Sequence, residues 1–357
     1  LKIQAEAPGK LILIGEYAVL EGAPAIVTAV DRYARVVVDE SRDGDFEVDA
    51  PALELENVRF RADQNGHLHF QDPFPEKLAF FRSIFTSALE IILKEKSVLR
   101  PARILLDTDA FFSRKAGAKL GLGSSAALTV ALLAALFSWS DIATFKEETD
   151  RWRLFNLALD AHRKAQGSVG SGIDIAACVF GGTLIYQLKG PAGTAEAEIR
   201  PVRFPENLFC LPVWSGKPSS TSQLVRRFFE YKEKNGNGYR AFLKHLSGLS
   251  VQARDAFLAG DRHTFLDCVK NYYRKMVEVG RTIGSEIISP EHRRIADCVY
   301  RHGAVYKPSG AGGGDLGIAF TTVPEPADLV AELHNAGYEV LPLSFGAEGI
   351  RVKRTDR

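Results

Sequence analysis

Lys119-Leu-Gly-Leu-Gly-Ser-Ser-Ala-Ala127 runs without interruption into the apolar stretch Ala126 to Phe137, and this junction decides how the rest of the chain is read. Gly121 and Gly123 let the backbone turn tightly and approach a ligand where a Cβ would block it. The residues that follow are nearly all Ala, Leu and Val, which predicts a helix over Ser124 to Phe137 buried on most sides. Such a helix directs its unpaired first-turn amides, with the helix dipole behind them, into the loop. That makes a phosphate cradle, to which Ser124 and Ser125 add hydroxyls suited to phosphate or to a hard cation such as Mg2+. The pattern GxxxxGK[ST] is absent here, so it is not a Walker A loop. The same residues also suit a plain tight turn whose serines cap a core helix.

Two further glycine-rich segments stand on either side in the chain. Lys307-Pro-Ser-Gly-Ala-Gly-Gly-Gly-Asp315 places four glycines in five positions ahead of an apolar strand, Leu316 to Phe320. So much lost backbone order is economical where a ligand comes close, although a flexible loop has the same composition. Near the start, Ala7-Pro-Gly-Lys-Leu-Ile-Leu-Ile-Gly-Glu-Tyr17 reads as a turn at Pro8-Gly9 followed by an apolar strand. Lys10 and Glu16, at the two ends of that strand, form a possible charged pair beside a ligand.

Around these segments the pattern alternates strands and helices. Residues 24 to 49 read as β-branched strands with turns, and Leu78, Phe81, Ile84, Phe85, Ala88, Leu89 and Ile92 recur at the spacing of one buried helix face. A strand follows at Ala102 to Leu106, a helix at Trp152 to Lys164 and a strand at Gly182 to Leu188. Lys189-Gly-Pro-Ala-Gly-Thr194 is the best linker, so the chain divides into domains 1–190 and 191–357. After a strand near Leu208 to Trp214 come long amphipathic helices over 220 to 300, broken at Asn235-Gly-Asn-Gly238, then a strand-loop-strand unit and a closing helix-strand pair.

Composition excludes several classes of partner. The 357 residues carry 45 Lys plus Arg against 44 Asp plus Glu, which leaves no global basic field for nucleic acid or anionic lipid. The longest apolar run is too short to cross a bilayer, which takes about 20 residues. Cys178, Cys210, Cys268 and Cys298 are at least thirty residues apart, so they read as buried thiols in a reducing cytoplasm. A length above about 250 residues favours two domains.

The three glycine-rich segments, in this order and at these places, resemble the signature motifs of the GHMP kinases, and the resemblance spans Ala7 to about Phe320. It implies an α+β fold with two domains: an N-terminal one like ribosomal protein S5 domain 2 and a ferredoxin-like C-terminal one, with the site in the cleft between. It implies a cytoplasmic enzyme, monomer or homodimer, using ATP and Mg2+ on a small-molecule acceptor. Tyr17, Ala29 to Val36, Ala165 to Asp174 and Trp214-Ser-Gly-Lys-Pro-Ser-Ser-Thr-Ser222 resemble the members whose acceptor, 5-phosphomevalonate, already bears a phosphate. Mevalonate, another hydroxy acid or a sugar as acceptor, and a nucleotide-binding regulator without catalysis, are the alternatives.

By the same resemblance, Lys119, Gly121, Leu122, Gly123, Ser124, Ser125 and Ala126 surround the ATP phosphates, and Ser124 or Ser125 helps hold Mg2+. Lys10 lies near the transferred phosphoryl, and Asp174 accepts or orients the acceptor's proton. Tyr17, Gly172, Lys217, Ser220, Ser309, Gly310, Ala311 and Gly312 shape the acceptor site. Asp174 also suits a helix cap, as Lys217 to Ser222 suits a capping cluster on a surface helix. Mevalonate kinases carry a metal-binding glutamate eleven residues before the aspartate, where this chain has Arg163. Gln166 or water is left to fill that place. His162 reads as structural, Arg226 and Arg227 as a solvated face, and Lys115 and Lys119 as either nucleotide contacts or a solvated loop.

Overall fold

The computed structural model describes residues 1–356 apart from 42, 64, 65, 72, 114–116, 168, 169 and 191–195, and for Thr221 the backbone alone. Lys115, Ser168, Val169 and most of the expected linker therefore lie outside the described residues.

Two long strands, β1 (Lys2–Ile14) and β2 (Ala25–Glu40), pair antiparallel and form the spine of the first sheet. Next come β3 (Phe46–Ala50), β4 (Leu55–Ala62), β5 (Leu68–Phe70), helix α1 (Ala79–Lys94) and β6 (Ala102–Asp107). Helices α2 (Ser124–Trp139), α3 (Glu148–Gln166) and α4 (Ile173–Phe180) precede β7 (Thr183–Leu188) and β8 (Ala197–Val202). Because α2 is apolar on every side, it packs against β1 and β2 as well as against α1, α3 and α4, and nearly all of it is buried.

The second sheet is built from β9 (Phe209–Trp214), and helices α5 (Thr221–Lys234), α6 (Gly236–Ala259), α7 (Arg262–Thr282) and α8 (Pro290–Arg301) follow it. The hairpin β10 (Val305–Pro308) and β11 (Leu316–Thr321) comes next, then α9 (Ala327–Asn335), β12 (Glu339–Val340) and β13 (Arg351–Thr355). This sheet runs β10-β11-β9-β12, antiparallel throughout, with α7 and α8 against β10.

Two expectations are corrected. Pro8-Gly9 is not a turn: both lie within β1, where the register shifts by a bulge between them. Asn235 alone interrupts the helices, its side chain accepting the Gly238 amide at 2.9 Å to cap α6, so Gly236 to Gly238 are helical. The first sheet also takes strands from beyond residue 190. The strand β8 pairs with β7, and the final strand β13 returns to pair with β1, so both belong to the first sheet. An edge of β1 left open would expose unpaired backbone groups, and β13 covers it.

Candidate active site between the two sheets

The cradle forms where β1 meets the start of α2. The Lys10 amide donates to the Leu122 carbonyl at 2.9 Å, which pins the first glycine-rich segment to the second. Gly123 caps α2 in the left-handed region, φ 81°, and the buried Lys10 side chain lies over it. A Cβ on Gly123 would come within 3.1 Å of Lys10 Cε. Ser124 is half-buried, and its hydroxyl has no side-chain or backbone partner among the described residues. The Ser125 hydroxyl differs: Gln166 Nε2 donates to it at 3.0 Å and His162 Nε2 lies at 3.2 Å. His162 and Gln166 thus share one task, holding the second serine, while Lys119 at the loop's approach is exposed.

The third segment closes over this cradle from the other sheet. The Ile12 amide donates to Ser309 Oγ at 2.9 Å, and the Tyr17 hydroxyl donates to the Ala311 carbonyl at 2.6 Å. Tyr17 is itself buried against Phe228, their ring centroids 4.8 Å apart. Glu16 does not pair with Lys10. Its Oε1 takes both the Lys307 ammonium and, at 3.2 Å, the Gly310 amide, while among the described residues Oε2 has no hydrogen-bond partner. Burial pushes the Lys307 pKa down, and Glu16 opposes that shift.

His292, fully buried on α8, lies behind the loop. Its Nε2 is 2.8 Å from the Gly314 carbonyl and its Nδ1 2.8 Å from the Tyr306 hydroxyl. A carbonyl only accepts, so Nε2 carries the proton and Nδ1 accepts from Tyr306. Asp315 follows with φ 57° and fits against Gly121, where a Cβ would fall 2.3 Å from the Asp315 Cβ.

Asp174 lies in the first turn of α4 after Gly172, whose φ is 86°. Its carboxylate and the Lys10 ammonium both act on the thiol of Cys178, whose Sγ donates to the Pro8 carbonyl at 3.1 Å. Cys178 is buried, and burial pushes its pKa up. Arg163, which donates to the Gly170 carbonyl at 2.8 Å, faces the same carboxylate. On the opposite side Ser219 Oγ donates to the Gly312 carbonyl at 2.6 Å, and the Ser219 amide donates to Asp315 Oδ1 at 3.1 Å. Lys217 and Ser220 are exposed on this turn, beside a cavity of about 280 Å³ that Ser219, Ser220, Arg227 and Gly313 help line.

Sequence reading therefore found the segments. It missed Lys307 as Glu16's partner, His292 and Asp315. The Lys-Pro-Ser run gave a signal for the first and the aspartate ending the glycine run for the last, but a lone histidine in an amphipathic helix gave none.

Residues 83–182 match the GHMP kinases N terminal domain. A phosphomevalonate kinase from Streptomyces sp. (strain CL190) is 30% identical, over 98% of both chains. The chain is a GHMP kinase. As such it is a small-molecule phosphotransferase. The mevalonate kinase of Thermococcus sibiricus is also similar, 26% identical over 99% of both chains. The fold of this GHMP kinase matches that of a protein from Listeria innocua at TM-score 0.85 and 30% identity, covering 99% of this chain and 100% of that one. It also matches the Streptococcus pneumoniae phosphomevalonate kinase, solved with phosphomevalonate and AMPPNP, at TM-score 0.77 and 21% identity over 96% and 99%. The two-domain GHMP fold expected from the motifs is the fold observed.

Proposed function

We propose that this GHMP kinase transfers the γ-phosphoryl group of ATP to the phosphate of (R)-5-phosphomevalonate, giving 5-diphosphomevalonate and ADP. An acceptor phosphate oxygen attacks the γ-phosphorus, the bond from that phosphorus to the bridging oxygen breaks, and ADP carries the electron pair away. The observation that carries this choice of acceptor is the docking of the Lys217 to Ser222 turn on the third glycine-rich segment through Ser219. The turn offers a cation and hydroxyl donors on the face of the cleft opposite the ATP cradle, as a substrate phosphate requires.

Phosphoryl transfer asks mainly for positioning and charge neutralisation. The amides opening α2 take the ATP phosphates, and Lys10, stretched over Gly123, balances charge on the transferred group. Asp174 takes the proton of an acceptor that arrives as the monoanion; the dianion, formed above a pKa of about 6, needs only orientation.

The donors fit a Mg2+ carried in on ATP, an ion that keeps several waters and takes few protein ligands. Ser124, whose hydroxyl is uncommitted, would be the protein ligand, because the Ser125 hydroxyl is already engaged by Gln166 and His162. Bound there, Mg2+ would neutralise phosphate charge.

A coupled ADP-release assay across mevalonate, 5-phosphomevalonate and hexoses, with the product identified by mass, tests the proposal. Turnover of 5-phosphomevalonate to the diphosphate is expected. Strong turnover of mevalonate with none of its 5-phosphate overturns it.

A further inference from the structure

Asp315 has no part in the chemistry described so far, yet it joins the two halves of the site. It holds φ 57°, a conformation in which glycine is cheaper, directly after four glycines in five positions. A side chain kept at such a position is a reason to look for its use. The backbone of Asp315 is clamped to the acceptor turn, its amide donating to the Lys217 carbonyl at 2.7 Å and its carbonyl accepting the Ser215 amide at 2.9 Å. Its Oδ1 accepts the Ser219 amide at 3.1 Å. Its Cβ and Cγ then cover the bare Cα of Gly121, where a Cβ would fall 2.3 and 2.6 Å from them. Lys10 and Lys119, from the first sheet's side, are the charged groups acting on the carboxylate.

The geometry points to Asp315 as a positioning residue that registers the Lys217–Ser219 turn against the nucleotide cradle, so that filling the cradle with ATP orders the acceptor side. ATP phosphates entering beside Gly121 meet an anionic carboxylate that shares Lys10 and Lys119 with them. The carboxylate then relies more on the Ser219 amide, its remaining donor, and the turn tightens. Burial raises the Asp315 pKa while the Ser219 amide and the two lysines lower it, which places the carboxylate in a contest that ligand charge will tip.

The inference rests on the acceptor-side reading of Lys217 to Ser222, but its test needs no acceptor. Amide hydrogen exchange over residues 217–223 is measured with and without AMPPNP in the wild type, Asp315→Gly and Asp315→Asn. The glycine relieves the positive φ and preserves folding, and the asparagine keeps shape without charge. AMPPNP should slow exchange about fivefold or more in the wild type, the low end of typical coupling between sites. In Asp315→Gly the ratio should fall to near one with AMPPNP affinity within about threefold of wild type, and Asp315→Asn should lie between. Kinetically, the KM for the acceptor should rise in the variants while that for ATP stays. Persistent coupling in Asp315→Gly, no coupling in the wild type, or lost nucleotide binding in both variants overturns the inference. Coupling that behaves as expected in an enzyme inert toward 5-phosphomevalonate overturns only the acceptor assignment.

Discussion

Asp174 and His292 act at the scale of single groups and illustrate opposite uses of burial. Asp174 is only half-buried and shares its surroundings with Lys10 and Arg163, so its carboxylate is within reach of the proposed acceptor. Asp174→Asn should lower kcat about 100-fold or more while AMPPNP affinity changes little, because general-base and charge-orienting roles are worth that much. Steady-state kinetics paired with a nucleotide titration checks it, and near-normal turnover rules the role out. His292 has no such access. Burial pushes its pKa from 6.5 down to about 4, Lys307 adds to the depression, and the Gly314 carbonyl and Glu291 oppose it. Between those two values the unfolded chain binds a proton here that the folded chain refuses, so stability rises with pH across the window and falls as pH drops through it. A gap of this size is worth about 3 kcal/mol. Urea midpoints of the wild type should decline from pH 6.5 toward 4, while His292→Asn starts lower at pH 7.5 and declines less steeply. The place of Asp174 in the first turn of a helix was legible in the sequence, because Gly-Ile-Asp surrounds it with a recognisable pattern. His292 was not, since its role depends on a carbonyl brought near only by folding.

Elements were legible where one periodicity dominated. The apolar run predicted α2 to within two residues of its end, and the recurrence from Leu78 to Ile92 predicted α1. Hidden from such reading were β8 and β13, whose places in the first sheet come from pairing partners distant in the chain. The Pro8-Gly9 dipeptide misled for a related reason: turn propensity is local, and pairing with β2 on both sides holds the dipeptide in a strand. The start of α2 is the element on which the proposed function depends most. At Gly121, φ 79° and the 2.3 Å approach to Asp315 together forbid a side chain. Gly121→Ala should therefore open the contact between the second and third segments and weaken AMPPNP binding at least about tenfold, equivalent to about 1.4 kcal/mol. Its effect on the thermal midpoint should be smaller than that of a core substitution, because the loop lies at the edge of the packed layer. Calorimetric titration and a melt on the same sample separate the two effects.

Across the whole molecule the two sheets are joined by hydrogen bonds from β1 and the residues after it to the third glycine-rich segment, and at their centre is the ion pair of Glu16 and Lys307. Both side chains are withdrawn from water, with the Lys307 side chain fully buried. Desolvating two charges offsets much of their attraction, so the intact pair contributes little net stability, whereas removing one partner strands the other. Lys307→Met should leave Glu16 as a buried anion supported by the Gly310 amide alone, and cost about 3–5 kcal/mol in guanidinium unfolding. Glu16→Gln with Lys307→Met should recover a large part of that loss, because no charge then remains inside. Activity should follow a different order. Glu16 Oε1 also holds the Gly310 amide, so the double variant, though restored in stability, should leave the third segment less firmly set over the cradle and should show a raised KM for the acceptor. Equal losses of stability in the single and double variants would mean that packing around Lys307, and not the stranded charge, ties the two sheets together at this point.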